Sequence, residues 1–424
     1  MVIKIKKFQI RIFSFEEQYI KRIRNLLVKN KVYHFGFISI LIIILLSLNK
    51  VFDSKKDIKI IEKKDELIQG IKYMEKCFEE KEVKIHQAIF YKNPKISCVI
   101  PAYNCQNVIK AVIRSIQYQT MQDIEIILVN DNSNDNTSLV IKELAKVDSR
   151  IKVLNNEKTM ATLYSRNIGI LLSKGKYILN LDNDDLFFND NLFDIIYNEA
   201  ERGNLDLVGF AAIESSTYNP TKSGLRISGY HIHKDGLMVF QPELTYFTIL
   251  GKDHHVWGRL TNGKIYKKAI NNFGKNALGE KRNLCFVTWG EDSAISVVIH
   301  RYASSYKFIK IFGIFHHMAK TSSSETTKKY LKKYGDLFYL DTLFDFSHET
   351  IKGKKYVIRL AKSLIFRKIK HLYNEKNVRF LKSILQKIID CKFISSKTKI
   401  EIKKKYNSKI FKNIFLRKLY LFYF

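Results

Sequence analysis

Short apolar runs alternate with amphipathic stretches from Lys95 onward, and that rhythm predicts the fold. Ile96–Ile100 reads as a strand, after which Ile109, Val112, Ile113 and Ile116 share one face of a helix. Ile124–Val129 predicts a second strand, and Val140, Leu144 and Val147 mark a second helix. Ile151–Leu154, a helix over about 161–173 and the run Tyr177–Leu181 continue the series. Strands alternating with helices predict a parallel, doubly wound α/β sheet, whose ligands gather at the carboxyl ends of the strands.

Pro94 marks the start of this domain, which is expected over 94–320. Within 50–93, Leu67, Ile68, Ile71, Met74 and Phe78 follow an i, i+3, i+4 pattern, read as an amphipathic helical stem. Farther upstream, Val32–Leu48 carries no charge and holds ILIIILL at its centre, enough to cross a thin bilayer. It predicts a transmembrane signal anchor over 32–49 behind a basic cytosolic tail, 1–31. The membrane would be that of the ER or Golgi in a eukaryote, or the bacterial inner membrane with the domain facing the cytoplasm. Residues 321–424 are basic, with Ile, Leu, Phe and Tyr at helical spacing, and predict a helical C-terminal region.

Charge and cysteines change this picture little. The formal net charge is +32, but Lys, Ile and Asn are abundant along the whole chain, and no nucleic-acid-binding motif accompanies them. Nucleic acid is therefore not an expected partner. Five cysteines without paired spacing define neither a disulfide framework nor a zinc site.

The chemistry gathers where strands end. Tyr177–Leu181 runs directly into Asp182-Asn183-Asp184-Asp185, so a buried strand delivers three carboxylates to one point. Hard divalent cations take oxygen ligands and keep positions open for phosphate, which predicts a metal–diphosphate site. Three other segments fall at or near the same edge: Val99–Gln106 (VIPAYNCQ), Val129–Thr137 (VNDNSNDNT) and Ser165–Gly169 (SRNIG).

In order and spacing these four segments resemble the glycosyltransferase family 2 domain, with its nucleotide-sugar-binding GT-A fold, a Rossmann-like architecture. Pro101, Tyr103 and Asn104 match a P-x-Y-N strand end, and Asp131 and Ser133 match D-D-G-S. Arg166, Asn167 and Gly169 match A-R-N-x-G; Gly175, Tyr177, Ile178, Leu181, Asp182, Asp184 and Asp185 match G-x-Y-I-x-x-L-D-x-D-D. The resemblance implies an inverting transferase using a nucleotide-sugar donor, a UDP-sugar before a GDP-sugar, with Mn²⁺ or Mg²⁺. It implies that Asp131 accepts a hydrogen bond from the base, that Pro101 and Tyr103 line the same pocket, and that Arg166 faces base or diphosphate. Asp182 would reach ribose or metal, Asp184 would ligate the metal, and Asp185 would support them.

Thr288–Asp292 (TWGED) resembles the family's E-D segment, which makes Asp292 the general base toward an acceptor hydroxyl, with Glu291 as neighbour or alternative. His254–Leu260 (HHVWGRL) resembles a V-W-x-K-L stretch near the acceptor, where Trp257 could stack on a sugar. His316 and His317 read as packed or surface histidines. The acceptor class implied is a glycan, glycoprotein or glycolipid; the alternative is an inactive GT-A domain that binds a nucleotide sugar or a partner. Four positions depart from the family pattern, one of them Asn189, where Pro often follows D-x-D-D. Asn130 and Asn132 replace an Asp and a Gly, and Ala161 stands where Gly is frequent.

Overall fold

The computed structural model describes residues 64–79, 93–218, 226–228, 238–239, 255–273 and 290–318, with isolated positions at 339, 342 and 400. The basic tail, the apolar run 32–49 and nearly all of 321–424 lie outside the described residues.

Helix α1 (Lys64–Phe78) precedes β1 (Ile96–Ala102), α2 (Ile109–Gln117), β2 (Ile124–Asn130), α3 (Thr137–Val147) and β3 (Ile151–Asn155). Next come α4 (Ala161–Leu172), β4 (Tyr177–Asn180), β5 (Leu186–Phe187), α5 (Leu192–Gly203) and β6 (Leu207–Ser215). Two short strands, β7 (Arg226–Ser228) and β8 (Met238–Val239), lead to β9 (Arg259–Asn262), α6 (Gly263–Phe273), α7 (Glu291–Tyr302) and β10 (Tyr306–His317).

The sheet runs β3-β2-β1-β4-β9-β6-β10-β5, with β7 on β6 and β8 on β10. Its first four strands are parallel, as the alternation of runs and helices predicts. The expectation of an all-parallel sheet stops there: β9 lies antiparallel between β4 and β6, and β5 antiparallel to β10, so the sheet is mixed. β9 follows a long excursion from β6 and re-enters between strands, a placement that four apolar and polar residues do not announce.

Both faces of the parallel half are covered, which explains why its strands read as unbroken apolar runs. Successive β1 residues divide between two cores: Val99 packs with Ile127, Val129 and Ile178, whereas Ile96, Cys98 and Ile100 pack with Ile126, Leu128 and Leu179. Helix α4 lies close on the first face. A Cβ added at Gly169 would come within 2.7 Å of Val99 and 3.0 Å of Val129, so glycine here brings the helix, and Arg166 with it, against the strand ends.

The stem expectation needs revision. Helix α1 packs its apolar stripe into the same core as the sheet, with Met74 and Cys77 fully buried. Tyr73 donates its hydroxyl to the Ser115 carbonyl at 2.7 Å, and Glu66 Oε1 accepts the Phe312 amide at 2.7 Å. Helix α1 therefore shares one compact unit with the sheet. An amphipathic period shows that a helix has a face to bury without showing against what.

Candidate active site

The ends of β1 and β2 are laced to each other. The Asp131 amide donates to the Ala102 carbonyl at 2.8 Å, the Asn134 amide to Asn104 Oδ1 at 2.9 Å, and the Cys105 amide to Thr137 Oγ1 at 2.8 Å. Asn104 and Asn132 adopt left-handed backbone, φ +48° and +57°, which asparagine tolerates. Asn132 thus takes the conformation that the glycine of D-D-G-S would take. Pro101 is buried within β1, while Tyr103 at its end is 43% exposed and free to lie against a planar base.

Asp131 is committed more fully than expected. It is buried, and its carboxylate accepts Asn156 Nδ2 at 2.7 Å and the amides of Met160 and Ala161 at 2.7 and 2.8 Å. A carboxylate has about four lone-pair sites, so these three bonds leave about one for a further donor. Its structural work is to hold the turn entering α4. Ala161 sits in that turn at φ +66°, a left-handed position that explains why glycine is frequent there.

Arg166, expected to face the base or the diphosphate, is buried at the acidic turn. The guanidinium is fully buried and bridges two carboxylates, donating from Nη2 to Asp182 Oδ1 at 2.8 Å and from Nη1 to Asp292 Oδ1 at 2.5 Å. Burial favours its neutral form, yet Asp292 and Asp182 outweigh that and hold its pKa above the ordinary value. One cation thus joins the acidic turn after β4 to the first turn of α7, and Asp292 lies 126 residues from Arg166 in sequence.

At the acidic turn, Asp185 is wholly buried and accepts His316 Nδ1, 3.0 Å from both oxygens, and the His317 amide at 2.9 Å. Its carboxylate is thus tied to the end of β10. Burial works against charge on His316, but Asp185 overrides it and pushes the imidazole up to about 10. Burial, Asp185 and Asp182 together push the Asp184 carboxyl up to about 8. Burial raises Asp182 also, against the pull of Arg166.

Asp292 and Glu291 open α7 after Gly290, at the helix end that favours negative charge. Burial, followed by repulsion from Asp292, pushes Glu291 up to about 8. Trp257 does not offer a sugar platform: it is 5% exposed, with its ring 4.3 Å from the His255 ring and 4.6 Å from that of His316. Its place in the site is to pack the imidazole that holds Asp185.

Whether the turn suits a divalent cation can be judged from its donors. Asp182 and Asp184 are hard oxygen ligands, partly open to solvent, and crowding by like charge raises Asp184. The His317 Nδ1 atom, 3.9 Å from Asp184 Oδ2, is buried without a hydrogen-bond partner. Extra positive charge is therefore accommodated. Among the described residues no group of three or more His, Cys, Asp or Glu forms a closed metal cage, so a cation here would share its shell with ligand oxygens.

Residues 97–282 match the model for glycosyl transferase family 2. The uncharacterised glycosyltransferase EpsJ of Bacillus subtilis is 36% identical over 222 residues, covering 51% of this chain and 59% of EpsJ. UDP-Glc:alpha-D-GlcNAc-diphosphoundecaprenol beta-1,3-glucosyltransferase WfaP of Escherichia coli is 30% identical over 159 residues, covering 37% of this chain and 55% of WfaP. The chain thus spans little more than half the length of either relative. Among solved structures, residues 1–349 of TarS from S. aureus in complex with UDP-GlcNAc align with a TM-score of 0.52 at 12% identity, covering 69% of this chain and 81% of that one. At that identity the alignment speaks to the fold, which is GT-A.

Proposed function

We propose, from the premise that residues 97–282 are a glycosyl transferase family 2 domain, that this protein transfers a sugar from a nucleotide-sugar donor to a hydroxyl of a lipid-diphosphate-linked glycan. The observation that carries the reading is the Arg166 bridge, which sets a donor-side carboxylate and a candidate base on one buried cation. The name of the E. coli relative supports both a UDP-sugar and a diphosphoundecaprenol-linked acceptor. The apolar run at 32–49 would hold the domain at the membrane where such an acceptor resides, as a single-pass anchor.

In this reading Tyr103 lies against the base and the Asp131 loop shapes the pocket wall. A Mn²⁺ or Mg²⁺ ion held by Asp184, with Asp182, would supply positive charge to the departing nucleoside diphosphate. Asp292 takes the acceptor proton. Its Oδ1 is engaged by Arg166, whereas among the described residues Oδ2 receives a long 3.4 Å contact from the Val256 amide, which leaves it acceptor capacity for a hydroxyl. Glu291, raised to about 8, is mostly protonated at neutral pH and is a poor base there. Attack on the face opposite the leaving group inverts the anomeric centre.

The test uses the full chain, UDP-glucose and GlcNAc-diphosphoundecaprenol. Asp292→Asn should lose transfer by roughly 10²–10⁴-fold while retaining UDP binding, and Glu291→Gln should keep most activity. An Asp292→Asn protein that transfers as fast as its parent would remove the base assignment. Absence of transfer by the parent with this pair, alongside activity on a glycoprotein, would move the acceptor class.

A further inference from the structure

The acidic turn is fastened from a direction that none of the four motifs contains. Tyr218, three residues past β6, donates its hydroxyl to the backbone carbonyl of Asp184 at 2.6 Å. Its ring stacks on that of His317 at 4.1 Å and lies 5.9 Å from Phe315. On another side it meets Phe78, the last residue of α1, with ring centroids 4.9 Å apart.

The other ties of the turn act on the residues that flank Asp184: Arg166 holds the Asp182 carboxylate, and His316 and the His317 amide hold that of Asp185. The Asp185 amide donates to the Asp182 carbonyl at 3.1 Å, and Asn183 Nδ2 to the Tyr103 carbonyl at 3.1 Å. The Asp184 side chain is 32% exposed, and the imidazole nitrogen His317 Nδ1 stands 3.9 Å from it, beyond hydrogen-bond distance. Its position is thus set mainly through its own backbone. A neutral hydroxyl gripping the carbonyl does this while leaving both carboxylate oxygens for an external ligand, which a lysine or arginine at the same place would not.

Helix α1 is itself immobilised at several points. Glu66 holds the Phe312 amide, Tyr73 reaches the Ser115 carbonyl, and Arg114 Nη1 donates to the Cys77 carbonyl at 3.3 Å. Phe78 therefore arrives at Tyr218 from a fixed support.

We propose that Tyr218 is a positioning residue for the Asp184 carboxylate and that α1 sets Tyr218 through Phe78, so that a helix outside the family 2 match forms part of the donor site. This rests on the reading of Asp184 as a ligand for the cation at the donor's diphosphate. The consequence is specific. Loss of the hydroxyl should loosen the turn and weaken metal-dependent nucleotide binding, while leaving metal-independent contacts as they were.

Two measurements on the full-length protein test it, with Tyr218→Phe, Phe78→Ala and Phe78→Leu. Hydrogen–deuterium exchange of the peptide containing Asp182–Phe187 needs no ligand. Tyr218→Phe keeps the ring and should raise exchange there by roughly three- to tenfold, the worth of one hydrogen bond. Phe78→Ala should act in the same direction, and Phe78→Leu should restore most of the protection. Calorimetry with UDP and with GDP, each with Mn²⁺ and with EDTA, should show the enhancement by Mn²⁺ falling by a similar factor in Tyr218→Phe, with affinity in EDTA unchanged. Unaltered exchange in Tyr218→Phe overturns the proposal, as does an equal loss of nucleotide affinity with and without metal. Faster exchange beside a parent protein that binds neither nucleotide overturns the donor-site reading instead.

Discussion

Removing the guanidinium of Arg166 should destabilise the domain more than any single change at its surface. The group is about 1% exposed and serves two carboxylates, so Arg166→Met strands both charges. Breaking a buried pair from one side costs about 3–5 kcal/mol. Asp182 and Asp292 keep 29% and 17% of their side-chain surface, which admits solvent screening, so the lower end, about 3 kcal/mol, applies. For a domain of this size each kcal/mol moves the midpoint by about 2–4 °C, giving a fall of roughly 6–12 °C. Thermal unfolding of the full chain at neutral pH measures it. The triple change Arg166→Met, Asp182→Asn, Asp292→Asn removes the stranded charges along with the cation and should recover most of the loss. A single mutant that melts within ~2 °C of its parent, or a triple mutant no better than the single, would refute the buried bridge.

Three further outcomes follow from other parts of the fold. Ala161→Gly should stabilise by about 1 kcal/mol in urea unfolding, because alanine at φ +66° carries a steric cost that glycine does not. Gly70→Ala should destabilise by about 1–3 kcal/mol in the same assay despite better helix propensity, since the added Cβ would lie 2.1 Å from the buried Phe188 ring. Burial alone would raise Glu125, but hydrogen bonds from Lys152, Ser97 and the Lys174 amide prevail and hold it below its ordinary 4.5. A depressed carboxylate contributes stability above its unfolded-state pKa and loses it as pH falls through the folded one. Glu125→Gln should therefore be less stable at neutral pH and show a shallower decline between about pH 5 and 3.

The legible part of this protein is the part whose constraints are local. Strands buried on both faces read as apolar runs, and three of the four motifs stand at strand ends, where backbone turns are settled within a few residues, while the fourth lies on α4. Asn132 could be read correctly as a stand-in for glycine for the same reason. What escaped was set at long range. Nothing near Arg166 in sequence names Asp292 as its partner, and Trp257 looks like a sugar platform until His255 and His316 are seen beside it. The antiparallel β9 and the bulged β10 follow from how chain segments return to the sheet. Tyr218 belongs to no motif; a lone tyrosine after a strand carries no signal of the carbonyl it will hold.

The contact between Glu66 and Phe312 spans 246 residues and bears on how the protein is made. Helix α1 leaves the ribosome early and can meet α2 soon afterwards, but its berth on β10 does not exist until the far end of the domain has been synthesised. At about 5–20 residues per second that interval is roughly 12–50 s. Part of the helix's apolar stripe waits uncovered for that time beside whatever shields nascent chains. The last strand among the described residues is also the one that carries His316 and His317 to Asp185 and Asp184. Closure of the core and assembly of the acidic turn thus coincide once β10 is made, with residues 318–424 still to be added.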